Sequence, residues 1–303
     1  MATMKTLNGY GFNATELNGK AASDYLQKTD TATNSAKLGG KAPEYYIQPR
    51  NLLDNSDFRN PVNQRGITSE TSVSAYSYFI DRWVNQSSEA RSFTLSTSGI
   101  GLTPPTTLLQ KIEKIEAGKI VTFAIKLSDG TIATLTGTVQ YTSDGSWTRF
   151  ASISHSFGDM YMETMNGFVN VVVYNTKVIT IEWAVLYEGS YTADTLPPYV
   201  PKGYAAELAE CQRYFRKGAQ AVTIGTQFSS GSFFSLSVPE MRIKPTTTLI
   251  EIQSQGWGNV VASNYTAGWI GTLGSSFFVN YVSSVSDDVG KTVVAVYEMS
   301  ADL

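Results

Sequence analysis

Ile120-Val121-Thr122-Phe123-Ala124-Ile125-Lys126-Leu127, followed by Ser128-Asp129-Gly130 and then Thr131-Ile132-Ala133-Thr134-Leu135-Thr136-Gly137-Thr138-Val139, is the stretch that decides the fold. Both runs are rich in β-branched residues, which suit a pleated strand. Asp-Gly between two such runs is the strongest short-range signal for a hairpin. The spacing therefore predicts two antiparallel strands joined by a tight turn.

The same reading extends in both directions. Phe168 to Tyr174 and Val178 to Leu186 read as a second pair of strands around Asn175-Thr176-Lys177. Along the latter, Val178, Thr180 and Glu182 alternate with Ile179, Ile181 and Trp183, which gives one polar and one apolar face. Several short strands at this spacing predict an antiparallel β-sandwich over residues 51–200. Leu196-Pro197-Pro198-Tyr199-Val200-Pro201 cannot continue a central strand and reads as a stiff linker.

One helix is expected within residues 201–218, from Tyr204 to about Arg216. Tyr204, Leu208, Cys211 and Phe215 are spaced 4, 3 and 4, the spacing of a coiled-coil seam. Glu207 and Glu210 come early and Arg213, Arg216 and Lys217 late, which complements the helix dipole. Gly218 would cap the C-terminal end. Residues 219–303 read as a further β-domain rich in glycine turns. The first fifty residues carry a short repeat, Leu17-Asn18-Gly19-Lys20-Ala21 and Leu38-Gly39-Gly40-Lys41-Ala42. Such units are too small to hold a core alone and need stacking or association. The fold expected is mainly β, with an N-terminal repeat region over 1–50, the sandwich, the linking helix and the C-terminal β-domain.

Composition narrows the function. Hydrophobic residues make up 42% of the 303-residue chain and charged residues only 16%, with a formal net charge of -3. That balance lacks the basic face of a nucleic-acid binder. No apolar run approaches the ~18 residues of a membrane span. Met1 to Tyr10 holds a single Lys and no apolar centre, so a cytoplasmic origin without a signal peptide is expected.

Catalytic chemistry finds little to work with. His155 is the one histidine and Cys211 the one cysteine, so neither a disulfide framework nor a metal cluster is expected. A serine nucleophile needs a base, and His155, in Ser152-Ile153-Ser154-His155-Ser156, lies in a polar strand or loop. Asp57, Asp81, Glu113, Glu116 and Asp159 are scattered along the chain, and adjacent Asp287 and Asp288 on a strand would point apart. No catalytic residue, metal or cofactor is assigned.

Binding suits the residues better. Sugar rings have apolar CH faces and many hydroxyls, so they need aromatic surfaces beside uncharged hydrogen-bonding groups. Trp257, Asn259, Asn264, Tyr265 and Trp269 offer both and form the candidate glycan site. Trp257 and Trp269 could instead fill a core. Trp83 and Trp183 read as core residues, and Trp147, after Ser143-Asp144-Gly145-Ser146, is open to either role.

Several stretches together resemble phage and prophage tail-fibre proteins. They are the two Gly-Lys-Ala repeat units, Asn51-Leu52-Leu53-Asp54-Asn55-Ser56-Asp57-Phe58, Asn60-Pro61-Val62-Asn63-Gln64-Arg65-Gly66 and Asp81-Arg82-Trp83. Further along are Trp183 to Gly189, Ala206-Glu207-Leu208-Ala209-Glu210-Cys211-Gln212-Arg213-Tyr214-Phe215, Met241 to Thr246 and Ser300 to Leu303. The middle region, with Leu109-Gln110-Lys111-Ile112, also resembles a galactose-binding-type jelly roll. The resemblance implies a homotrimeric receptor-binding protein of a virion tail, facing other tail or baseplate proteins at one end and a bacterial surface polysaccharide at the other. On that view Tyr204, Leu208, Cys211 and Phe215 pack along the three-fold axis; on the other, they pack on their own domain. Alternatives are a glycan depolymerase of a tail spike and a purely structural baseplate component.

Overall fold

A computed structural model of the protein describes residues 16–17, 20–21, 49–68, 72–223, 232–237, 241–243, 245–254, 265–270, 276–281 and 292–302. The chain divides into two compact units, Met1–Pro49 with Asp194–Pro198, and Arg50–Ala193 with Tyr199–Leu303. In the first, β1 (Glu16–Leu17) pairs antiparallel with β2 (Lys20–Ala21), both within the first repeat copy. The second copy lies outside the described residues.

The second unit begins with the expected sandwich. Its strands are β3 (Ser72–Val73), β4 (Ser77–Ile80), β5 (Trp83–Asn85), β6 (Arg91–Ser96), β7 (Gly99–Leu102) and β8 (Thr106–Ile112). They are followed by β9 (Ile120–Leu127), β10 (Ile132–Thr138), β11 (Thr148–His155), β12 (Gly158–Met165), β13 (Phe168–Asn175) and β14 (Ile179–Glu188). Two six-stranded sheets result, ordered β10-β9-β14-β7-β6-β3 and β11-β12-β13-β8-β5-β4. The hairpin expected at Asp129-Gly130 is β9–β10, with Ala133 opposite Ile125 and Leu135 opposite Phe123. Gly130 takes φ +90 in its turn, and Asp129 Oδ1 accepts a 2.8 Å bond from the Thr131 amide.

Alternation fills the space between the sheets. Phe123, Ile125 and Leu186 from one sheet meet Leu108, Met162 and Val171 from the other, all fully buried. Each such side chain contributes roughly 1.5–3 kcal/mol through area removed from water. Phe79 and Phe93 stack at 4.1 Å between centroids, and Trp83 is 1% exposed. Trp83 is thus a core residue, as expected.

Two local expectations are corrected. β13 and β14 do not pair with each other; β13 lies between β12 and β8, and β14 between β9 and β7. The turn crosses from one sheet to the other because Asn175 bridges the corner. Its Oδ1 accepts from the Thr106 amide at 2.8 Å, and its Nδ2 donates to the carbonyls of Leu102 at 3.1 Å and Lys177 at 2.8 Å. The polar-apolar phase of β14 also breaks at a bulge between Ile181 and Trp183. Ile181, Ala184 and Leu186 face the core, whereas Trp183 lies buried on the outer side, stacked on Tyr199 at 5.0 Å.

The helix is shorter than expected. α1 spans Tyr204–Cys211, and the chain is already extended at Phe215, where β15 (Phe215–Thr223) begins. Phe215 sits opposite Ser300 of β20 (Thr292–Ser300), and the Tyr214 carbonyl accepts from the Ala301 amide at 2.6 Å. Those ladder bonds take the backbone groups that a longer helix would use. Gly218 is therefore no helix cap. It lies in β15 opposite Tyr297, whose hydroxyl is 2.6 Å from where a Cβ would stand. Tyr204, Leu208 and Cys211 belong to the helix and Phe215 does not, so the four form no continuous helical seam.

The C-terminal region is β, as expected. β17 (Thr246–Ser254) completes a sheet ordered β15-β20-β17, and β16 (Ser232–Ser237), β18 (Tyr265–Ile270) and β19 (Ser276–Tyr281) form another, ordered β16-β19-β18.

Candidate functional site

Several of the stretches that carried the resemblance, all from Asn51 onward, meet at one buried polar junction. It starts where β7 leaves β14 after Ile181, which exposes backbone groups of the second half of β14. Buried N–H and C=O groups need partners. Residues 51–58 supply them: Leu52 donates to the Leu186 carbonyl at 3.0 Å, Ala184 to that of Ser56 at 3.0 Å, and Phe58 to that of Glu182 at 2.9 Å. The Asn51 side chain bonds the Leu186 amide at 2.9 Å and the Ala184 carbonyl at 3.2 Å.

Asn55 is the centre of this segment. It is 1% exposed and holds φ +53, a left-handed conformation that Asn tolerates better than most residues. Its Nδ2 donates to the carbonyls of Val62 at 2.8 Å and Asp81 at 2.7 Å, and its Oδ1 accepts from the Val62 amide at 2.7 Å. Its own carbonyl accepts from Trp83 Nε1 at 2.8 Å, and its amide donates to Glu207 Oε1. Next to it, the Gln110 side chain pairs with Asp54 as a strand would. Oε1 accepts from the Asp54 amide at 2.9 Å and Nε2 donates to its carbonyl at 2.7 Å.

Asp81-Arg82 forms the second half of the junction. Asp81 is fully buried and accepts from the Gln64 amide at 2.6 Å. Burial pushes its pKa up to about 6, partly offset by that bond and by Arg65. Arg82 also takes a left-handed backbone, φ +73. Its guanidinium bonds Asp54 Oδ2 at 3.0 Å and the Lys111 carbonyl, and lies 3.5 Å from the Tyr214 ring centroid. Strained backbone of this kind persists where the surroundings over-determine it.

Three groups tie this junction to the C-terminal strands. Arg65 pairs with Asp302 at 2.6 Å and lies over the rings of Phe215 at 3.9 Å and Tyr78 at 4.5 Å. Gln64 Nε2 donates to the Phe215 carbonyl at 2.9 Å. Arg242 donates its amide to the Arg213 carbonyl at 2.8 Å. The helix contributes Glu207, whose pKa burial raises to about 7 against the pull of Lys202 and the Asn55 amide. Lys202 also bonds Glu210 and the Leu53 carbonyl. Cys211 is fully buried, and burial holds its thiol far above the ordinary range.

The candidate residues divide between this junction and the rest. Trp257, Asn259 and Asn264 lie outside the described residues. Tyr265 and Trp269 lie on β18, and their side chains fall outside the description. Of the seam residues, Tyr204 is 50% exposed, Leu208 half-buried, and Cys211 and Phe215 buried within this unit. Trp147 is 52% exposed, with the Arg149 guanidinium 5.2 Å from its ring and 3.8 Å from that of Tyr161. His155 stacks on Phe157 at 5.1 Å, its Nε2 buried without a hydrogen-bond partner among the described residues, and burial lowers its pKa. Among the described residues, no group of three or more His, Cys, Asp or Glu is placed to hold a metal ion. No described helix is long and apolar enough to cross a membrane.

Beside the junction runs a groove of about 420 Å³. Glu113 and Glu116, far apart from any partner by sequence alone, both line it with Asp54, Glu188, Arg82 and Tyr214. Most of these stretches stand out in the sequence, but nothing local in it tells that they touch. Short polar pairs that directly follow an apolar run, Asp54-Asn55 after Leu52-Leu53 and Asp81-Arg82 after Tyr78-Phe79-Ile80, are the available signal. Comparison with protein-family models, curated proteins and solved structures finds no match.

Proposed function

We propose that this chain is a tail-fibre or receptor-binding component of a phage-type particle, attaching the virion tail to a bacterial surface glycan. The observation that supports this reading most is the convergence of the resembling stretches. Segments from Asn51 to Asp302 quoted for the likeness meet at one junction, where residues distant in sequence contact each other directly. That junction holds the β15 and β20 strands against the sandwich through Arg65 and Gln64. A rigid mount of this kind suits a protein that presents a binding surface under load. The low charge and the aromatic, hydroxyl-rich C-terminal sequence suit sugar recognition.

In this reading the chain assembles as a homotrimer and contacts other tail or baseplate proteins. Multivalency turns weak single-site affinity into firm adhesion. The purified chain should compete with intact particles for adsorption to host cells, and Trp257→Ala should remove that competition while leaving thermal stability unchanged. Absence of competition at saturating protein would overturn the assignment. A stable monomer by light scattering at micromolar concentration would overturn the trimer.

A further inference from the structure

The geometry points to a saccharide site at the start of β11, where Trp147 stands at the mouth of a pocket of about 480 Å³ and takes an uncharged pyranose on its ring. This rests on the reading of the chain as a glycan-binding protein and adds a second place and a ligand class to it.

The strand presents the ring. β11 is an edge strand of its sheet and is bulged between Arg149 and Ala151. Bulges at sheet edges re-aim side chains. Here Phe150 and Ala151 pack against the core, while Arg149 stays on the outer face opposite Glu163. Trp147, two residues earlier, shares that face because successive side chains alternate. The Arg149 guanidinium lies over the Tyr161 ring at 3.8 Å and over the Trp147 ring at 5.2 Å. One face of the indole is thus backed by a cation, which orders the ring. The ring is nevertheless 52% exposed. An ordered indole left in water gains little from packing, and a ligand with an apolar CH face would cover it.

The register carries Trp147 to the pocket. Thr148 pairs with Thr164, so one step further Trp147 stands beside Met165, which lines the pocket. The pocket lies between three loops, 114–117, 141–146 and 165–167. These loops are fastened. The Asn166 amide donates to the Gly145 carbonyl at 3.0 Å, the Tyr141 hydroxyl to the Ile115 carbonyl at 2.9 Å, and Thr142 Oγ1 to the Ser146 carbonyl at 2.8 Å. A ligand would therefore find the site already ordered. Within this frame the side chains of Ser143 and Asn166 make no hydrogen bond with a described residue. A hydroxyl and a carboxamide each donate and accept, as sugar hydroxyls do. Lys114 and Glu116 add one charge of each sign, so the lining favours neither an anion nor a cation. The volume falls within the range of small-molecule sites.

The test titrates the whole 303-residue chain with galactose, glucose, N-acetylglucosamine, glucuronate and glucosamine, by saturation-transfer NMR. It is repeated in Trp257→Ala, so that binding at the distal candidate is not counted. At least one uncharged sugar should bind about threefold or more tighter than both charged ones, with an affinity that added salt leaves unchanged. Trp147→Ala should weaken that binding about tenfold. Asn166→Gly keeps the left-handed backbone, φ +51, and removes the carboxamide, which should cost about threefold in affinity. Both side chains are exposed, so the melting temperature should not change in either variant. Equal or tighter binding of a charged sugar, no binding of any uncharged one, or unchanged affinity in Trp147→Ala would overturn the site. The adsorption experiment separates the two readings. Competition without pyranose binding at Trp147 leaves the general function standing and removes this site. Pyranose binding that Trp147→Ala abolishes, without competition, keeps the site and removes the tail assignment.

Discussion

The side-chain amide of Asn55 donates to the backbone carbonyl of Asp81 at 2.7 Å, across 26 residues of sequence. That bond joins two turns, each containing a left-handed non-glycine residue, Asn55 and Arg82. Neither turn would hold its conformation as well without the other. The junction is consequently cooperative, and single changes in it should cost more than the loss of one bond.

Asn55→Ala tests this directly. The substitution removes three side-chain hydrogen bonds, leaves the Val62 amide and two carbonyls without partners, and puts alanine at positive φ. Each unmade buried bond costs about 1–3 kcal/mol, so a loss of about 4 kcal/mol in denaturant unfolding is expected. Asn55→Gly relieves only the backbone and should recover about 1 kcal/mol of that. A loss below about 1 kcal/mol for Asn55→Ala would refute the central place of this residue.

Asp81 and Glu207 give the protein a pH dependence of definite sign. Both carboxyls have folded pKa values raised by burial, to about 6 and about 7. The folded state therefore binds protons more tightly than the unfolded chain. Their contribution is fully present below about pH 4 and is lost as the pH rises through 6 and 7. Each is worth on the order of 2–3 kcal/mol. Unfolding free energy measured at pH 5 and pH 8 should differ by less in Asp81→Asn and in Glu207→Gln than in the parent. An unchanged difference would show that these groups titrate normally.

Arg65 should act as the clamp on the C-terminal strands. Arg65→Ala removes the Asp302 ion pair and two ring contacts, at a cost of about 3 kcal/mol to that docking. Arg65→Lys keeps the charge but not the planar stack and should recover less than half. Hydrogen exchange would show faster opening at 215–223 and 292–300 with the β9–β10 hairpin still protected. Uniform loss of protection across the sandwich would contradict a clamp.

The tryptophans should separate cleanly. Trp83→Ala opens a cavity in the sandwich core and should cost about 3–5 kcal/mol. Trp147→Ala, on a half-exposed ring, should change stability by under about 0.5 kcal/mol. Thermal unfolding of the two variants checks the contrast.

How much of this was legible in sequence depends on the distance over which each residue acts. The β9–β10 hairpin was legible because Asp129-Gly130 and the alternation around it act within a few residues. The crossing at Asn175 was not. Turn residues announce a reversal but do not say which sheet receives the next strand, and Asn175 acts on Thr106 and Leu102, about seventy residues away. The helix was read too long because Phe215 has the right spacing for an apolar helix face and equally suits the buried side of a strand. Its partner Ser300 decides the matter. The junction was visible only as separate phrases, since Arg65 and Asp302 are 237 residues apart. For the glycan candidates on 255–270, the described residues reach only the backbone of β18.

The Arg65–Asp302 pair also sets an order of events during synthesis. Asp81 leaves the ribosome 221 residues ahead of Asp302. At about 5–20 residues per second, that interval lasts roughly 10–45 seconds. For the whole of it Arg65 lacks Asp302; until Glu207 and Phe215 emerge, 126 and 134 residues after Asp81, the Asp54–Asn55 turn also lacks its carboxylate partner and Arg65 the Phe215 ring. The nascent sandwich thus waits with its most polar corner open to water until the segment that carries Asp302 arrives to seal it.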